Sequence, residues 1–128
     1  MSYTIKNLRE VRDAAPDHGF DEVQESRFPR EELGAEVTGL AYHVVKPGQR
    51  QAFAHRHDEA EEIYVVLSGE GQIKLDDEVC DIGRMDAIRV APGVARSFAA
   101  ADSGLELLAF GPRHAGDGEI IDEDFWSS

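Results

Sequence analysis

Two histidines and a glutamate carry the most specific chemistry in this chain. His55 and His57 stand two positions apart, and Glu62 follows after a short polar turn that holds Asp58, Glu59 and Glu61. In a β-strand, residues i and i+2 share a face. Phe53, His55 and His57 therefore point one way, and Glu62 opens the next strand. Two imidazoles and a carboxylate brought together are a ligand set for zinc, manganese, iron, nickel or copper. Three protein ligands leave coordination positions for water or substrate. The plainer alternative is a pair of surface histidines beside solvated acids, and Glu61, inside the polar turn, reads as one of those acids.

Other polar residues offer weaker chemistry. Tyr64 shares Glu62's face and is a candidate catalytic residue, as proton donor or substrate-orienting group. As a core tyrosine it would instead satisfy its hydroxyl at the edge. His43 shares a face with Ala41 and Val45, and is either an extra metal ligand or an ordinary strand histidine. His18 and His114 sit among turn residues and are expected at the surface. Cys80 is the one cysteine. An internal disulfide and an all-cysteine metal site are therefore excluded, and Cys80 reads as a small, inert strand residue. Gly69-x-Gly71 reads as a hairpin rather than a phosphate loop, because no helix follows it.

The elements that must position these groups are short β-type runs broken by turn residues. Val37–Lys46 stops at Pro47-Gly48, Ile63–Leu67 at Ser68-Gly69, and Gln72–Leu75 at Asp76-Asp77. Val79–Ile82 runs into Gly83, and Ala87–Val90 stops at Pro92-Gly93. Val94–Phe98 precedes Asp102-Ser103-Gly104, and Leu105–Phe110 ends at Gly111-Pro112. This spacing predicts an antiparallel sandwich or barrel. The predicted barrel core spans about 36–111, between an N-terminal arm, 1–35, and an acidic tail, 112–128. Asn7–Ala15 is the one helical expectation, closed by Pro16 and Gly19. The tail mixes acids with Ile120, Ile121, Phe125 and Trp126, and so is expected to dock without deep burial of its charges. Ile63, Val65 and Leu67 oppose an apolar inner face with an apolar outer one. A second sheet or a second copy of the chain is expected to cover it, which makes a homodimer the expected assembly.

Composition narrows the partners. The chain has 128 residues, one domain's length, with 13 basic and 26 acidic residues and a formal charge of −13. Nucleic-acid phosphates and anionic membrane surfaces are excluded as partners, because both need clustered lysine and arginine. The longest apolar run, Ile63–Leu67, is too short to span a bilayer. The expectation is a soluble cytoplasmic protein.

The spacing also carries a resemblance. Gly48, His55-x-His57, Glu62 and Gly69 resemble the first motif of the cupin superfamily, with one extra residue between the glycine and the histidines. Gly83 and Val90-Ala91-Pro92-Gly93-Val94 resemble the second motif. The likeness runs from about Val37 to Phe110. It implies an all-β fold, an antiparallel double-stranded β-helix or jelly-roll barrel with a polar cavity. It also implies one divalent transition metal, Fe, Mn, Zn or Ni, on His55, His57 and Glu62. Metal-binding cupins supply a fourth ligand, a histidine, after the second motif's turn; here Arg96 stands there. The resemblance implies oxygenase, isomerase, lyase or decarboxylase chemistry on a small molecule, or a non-catalytic barrel that binds or senses a small ligand.

Val94, Arg96 and Phe98 share a face, so Arg96 is expected inside the barrel. Arginine cannot ligate a metal, because it stays protonated and only donates. A +1 charge about 5 Å from a +2 charge costs roughly 6–7 kcal/mol at an effective dielectric of ~20. Three outcomes are open. Arg96 neutralises Glu62 and no metal binds; it points away; or it stands beside the metal and anchors an anionic substrate.

Overall fold

The structure, a computed structural model, describes residues 2–112, 116–121 and 124–127. His114 lies outside the described residues. Eight antiparallel strands form a single sheet that curls on itself. They are β1 (Gln24–Arg27), β2 (Thr38–Val45), β3 (Ala54–His57), β4 (Glu62–Leu75), β5 (Glu78–Gly83), β6 (Ala87–Val90), β7 (Arg96–Pro112) and β8 (Gly118–Ile121). One helical turn, α1 (Arg30–Leu33), links β1 to β2. No described helix is long and apolar enough to cross a membrane.

Two long strands make the barrel. Ile63–Val66 of β4 pairs with Leu107–Phe110 of β7, and Gly71–Leu75 pairs with Arg96–Ala100. The register shifts between these stretches, at Val66/Ser68 and Gly69/Gly71. Each strand therefore bends and serves two walls. One wall adds β6, β2 and β1; the other adds β5, β3 and β8. Glycine is required at the bend. A Cβ on Gly69 would lie 1.9 Å from the Gly104 carbonyl oxygen, and one on Gly71 would lie 2.1 Å from that of Ala99. Both obstacles are backbone and cannot rotate away.

The core fills the space between the walls. Tyr64, Val66 and Ile73 of β4 meet Phe98, Leu105 and Leu107 of β7, with Val45 and Val90. Each large apolar side chain so buried contributes roughly 1.5–3 kcal/mol. Glu62, Tyr64 and Val66 do share the inner face. On the outer face Ile63 is exposed, while Val65 and Leu67 are half-buried.

Several local expectations differ from the structure. Ser68-Gly69 and Asp102-Ser103-Gly104 are not strand ends, because β4 and β7 run through them as bends. Gly69-x-Gly71 is accordingly a bulged bend within β4, not a hairpin. The predicted helix over Asn7–Ala15 is a single 3-10 turn, Leu8–Glu10. Local side chains draw this backbone away from a helix. Asn7 Oδ1 accepts from Arg9 N at 2.9 Å, and Asp13 Oδ1 accepts from Ala15 N and Ser26 N at 3.0 and 2.8 Å.

The sheet also extends beyond 36–111. β1, of sequence QESR, pairs with β2, and β8 pairs with β3. The tail does dock. Phe125 packs against Ala54, Ala95 and Ile121, and the buried Lys74 donates from Nζ to the Phe125 carbonyl.

Candidate metal centre

β3 and the first residue of β4 bring the three sequence-predicted ligands together. The ligand atoms of His55, His57 and Glu62 all lie within 4.8 Å of one another. Glu62 Oε1 is 3.7 Å from Nε2 of each histidine. A first-row divalent ion holds nitrogen and oxygen ligands at roughly 2.0–2.2 Å, which places neighbouring ligands about 3–4 Å apart. The two Glu62–histidine distances fall in that range, and the cluster could hold one such ion. The three side chains are 18–26% exposed, which leaves them reachable from one side.

Glu62 is held as a carboxylate. Burial alone would raise its pKa. The His55 and His57 imidazoles, each 3.7 Å away, and the hydrogen bond from Tyr64 outweigh burial and hold the carboxyl well below its ordinary range. A metal ligand must be deprotonated, so this favours ion binding.

Behind the ligands lies an orienting shell. His57 Nδ1 is 3.5 Å from Asp117 Oδ2. Asp117 also accepts from the backbone N–H of Glu59 at 2.8 Å and of Ala60 at 3.0 Å. Its side chain is 5% exposed. A carboxylate on Nδ1 fixes the imidazole so that Nε2 faces the ion. The sequence places Asp117 in an acidic tail expected to dock without deep burial of its charges, whereas Asp117 is buried. No periodicity marks it, since its partners lie 57 and 58 positions away.

Arg96 makes the ion pair with Glu62 that the first of the three expected outcomes describes. It has no exposed surface and lies behind Glu62. Its Nη2 donates to Glu62 Oε1 at 3.2 Å, Nε to the Tyr64 hydroxyl at 3.1 Å, and Nη1 to the Val94 carbonyl at 2.7 Å. The guanidinium is used by the chain's own acceptors and does not line the cavity. Its expected role as anion anchor is therefore corrected: Arg96 supports Glu62.

Tyr64 donates its hydroxyl proton to Glu62. Burial, and then the Glu62 charge, raise its pKa, so it stays protonated at neutral pH. His43 does not join the ligand group. Its Nδ1 is 3.0 Å from Ser26 Oγ, and burial depresses its pKa to about 4. His18 is exposed and Cys80 is a free, half-buried strand residue, both as expected.

The three ligands, His43 and Tyr64 line a cavity of about 510 Å³. Phe28, Leu40, Phe53 and Ile120 give it apolar walls. This volume suits a small organic molecule.

A curled antiparallel barrel with a His-x-His strand and a glutamate on the next can be compared with known proteins. The cupin domain family model matches residues 41–110, more than half of the chain. The chain belongs to the cupin family. No match is found among curated proteins. Solved cupin-like structures are similar along nearly all of this cupin. A cupin protein from Bacteroides fragilis is 22% identical over 97% of this chain and 95% of its own, with a TM-score of 0.70. The polyketide cyclase RemF from Streptomyces resistomycificus is 18% identical over 94% and 87%, with a TM-score of 0.76. Oxalate decarboxylase from Bacillus subtilis is 18% identical over 92% of this chain but 33% of its own, with a TM-score of 0.73. At these identities the likeness establishes the jelly-roll fold and no particular reaction.

Proposed function

We propose that this cupin is a metal-dependent enzyme acting on a small molecule in the barrel cavity, with His55, His57 and Glu62 as the ligands of one divalent transition metal. The supporting observation is the convergence of these three ligand atoms, within 4.8 Å, on the wall of that cavity. Bound there, the ion supplies Lewis-acid or dioxygen-activating chemistry. The chain's own residues prepare the site. Asp117 orients His57, while Arg96 and Tyr64 hold Glu62 ionised and in place. Tyr64 is a positioning residue in this reading rather than a proton donor, because its proton already serves Glu62. The apolar walls limit water around the reacting group.

A second reading is a metal-free binding barrel, favoured by the Arg96–Glu62 ion pair at 3.2 Å. Elemental analysis of protein purified without chelator separates the two. Near-stoichiometric iron, manganese, zinc or nickel, lost in the double variant His55→Ala/His57→Ala, supports the metal centre. A wild-type protein that takes up none of these ions on incubation refutes it.

A further inference from the structure

The cavity holds one guanidinium that the metal centre does not use. Arg30, the first residue of α1, is half-buried and lines the same cavity as the three ligands. Its Nε is buried and has no hydrogen-bond partner. Every carboxylate on the described lining has an internal counter-ion. Glu61 pairs with Arg89 at 2.5 Å, Glu62 with Arg96 at 3.2 Å, and Glu119 with Arg56 at 3.0 Å. Arg30 enters none of the ion pairs among the described residues, in a chain with 26 acidic side chains.

A guanidinium is always protonated and presents its donors in a planar fork matched to a carboxylate. A guanidinium with no internal counter-ion is left unneutralised, and an anionic ligand in the cavity supplies the missing charge. The surrounding walls, Phe28, Leu40, Phe53 and Ile120, favour an apolar body. We infer that the substrate is a small organic carboxylate. Its acid group is anchored by Arg30, and its apolar body fills the cavity toward His55, His57 and Glu62. This rests on the cavity being the site of action proposed above. It moves the anion anchor from Arg96, which is enclosed, to Arg30, which faces the ligand space.

Benzoate and its neutral counterpart benzamide are suitable probes. Calorimetric titration of zinc-incubated wild-type protein and of Arg30→Gln is compared, with zinc content measured in each sample. Benzoate is expected to bind wild-type protein at least about tenfold tighter than benzamide. Arg30→Gln is expected to abolish that preference at unchanged zinc content. In wild-type protein, benzoate is also expected to shift the Arg30 Nε–H resonance, a readout independent of how the variant folds. A preference that survives Arg30→Gln, an unshifted Nε–H, or no preference for benzoate in the wild type overturns the inference. If no sample takes up zinc, the metal reading fails. The benzoate comparison on the same samples still decides the role of Arg30.

Discussion

Arg96 is the residue whose removal separates the electrostatics of this site most cleanly. In Arg96→Met the charge is lost while most of the buried volume is kept. Arg96 stands 3.2 Å from Glu62, and the two attract by about 5 kcal/mol at an effective dielectric of ~20. Removing one partner of a buried pair strands the other, which typically costs about 3–5 kcal/mol. Metal-free Arg96→Met is therefore expected to melt about 10 °C or more below wild type. Zinc reverses the sign. A cation beside the ligands repels a divalent ion by roughly 6–7 kcal/mol at about 5 Å. Even a third of that, about 2 kcal/mol, is roughly thirtyfold in Kd. Arg96→Met is thus expected to bind zinc at least about thirtyfold tighter, measured by competition with a chromophoric chelator. Added zinc should recover most of the lost melting temperature. Arg96→Lys keeps the charge and should keep the wild-type affinity. A zinc Kd for Arg96→Met within about threefold of wild type would refute the reasoning.

Three further outcomes are expected. Asp117→Asn should weaken zinc binding roughly tenfold to a hundredfold, because His57 loses the carboxylate that orients it and one oxygen must now serve Glu59, Ala60 and His57; chelator competition measures this, and nitrogen-detected NMR should show a changed His57 tautomer. Burial depresses the pKa of His43 from 6.5 to about 4, so as pH falls the unfolded chain takes up the proton first. Metal-free protein should therefore lose about 3 kcal/mol of stability as pH falls from about 6.5 to about 4, and urea melts of His43→Gln should lose that dependence. Gly71→Ala would place a Cβ 2.1 Å from the Ala99 carbonyl oxygen and should destabilise the barrel by about 2 kcal/mol or more in urea melts, with the β4–β7 pairing the first to loosen.

Side chains that alternate within a strand report their direction locally. That is why the inward set of Glu62, Tyr64 and Val66, and of Arg96 and Phe98, was readable from order alone. His55-x-His57 with Glu62 was readable for the same reason, since i and i+2 share a face whatever the sheet does next. The family motifs extended this reading to the barrel.

What escaped was non-local. β1 is a polar QESR segment, and Gln24 and Ser26 are buried because they satisfy one another and Ala52 rather than because they are apolar. Asp117 looked like one acid among many, and it became the orienting partner of His57 when β8 paired with β3. Arg96 and Arg30 are chemically identical in the sequence. The tertiary structure gave one of them a carboxylate, a hydroxyl and a carbonyl, and left the other's Nε without an acceptor at the cavity wall. Chain order determined which groups point inward together. Only the closed sheet decided which of them meet, because their partners arrive from strands dozens of residues away.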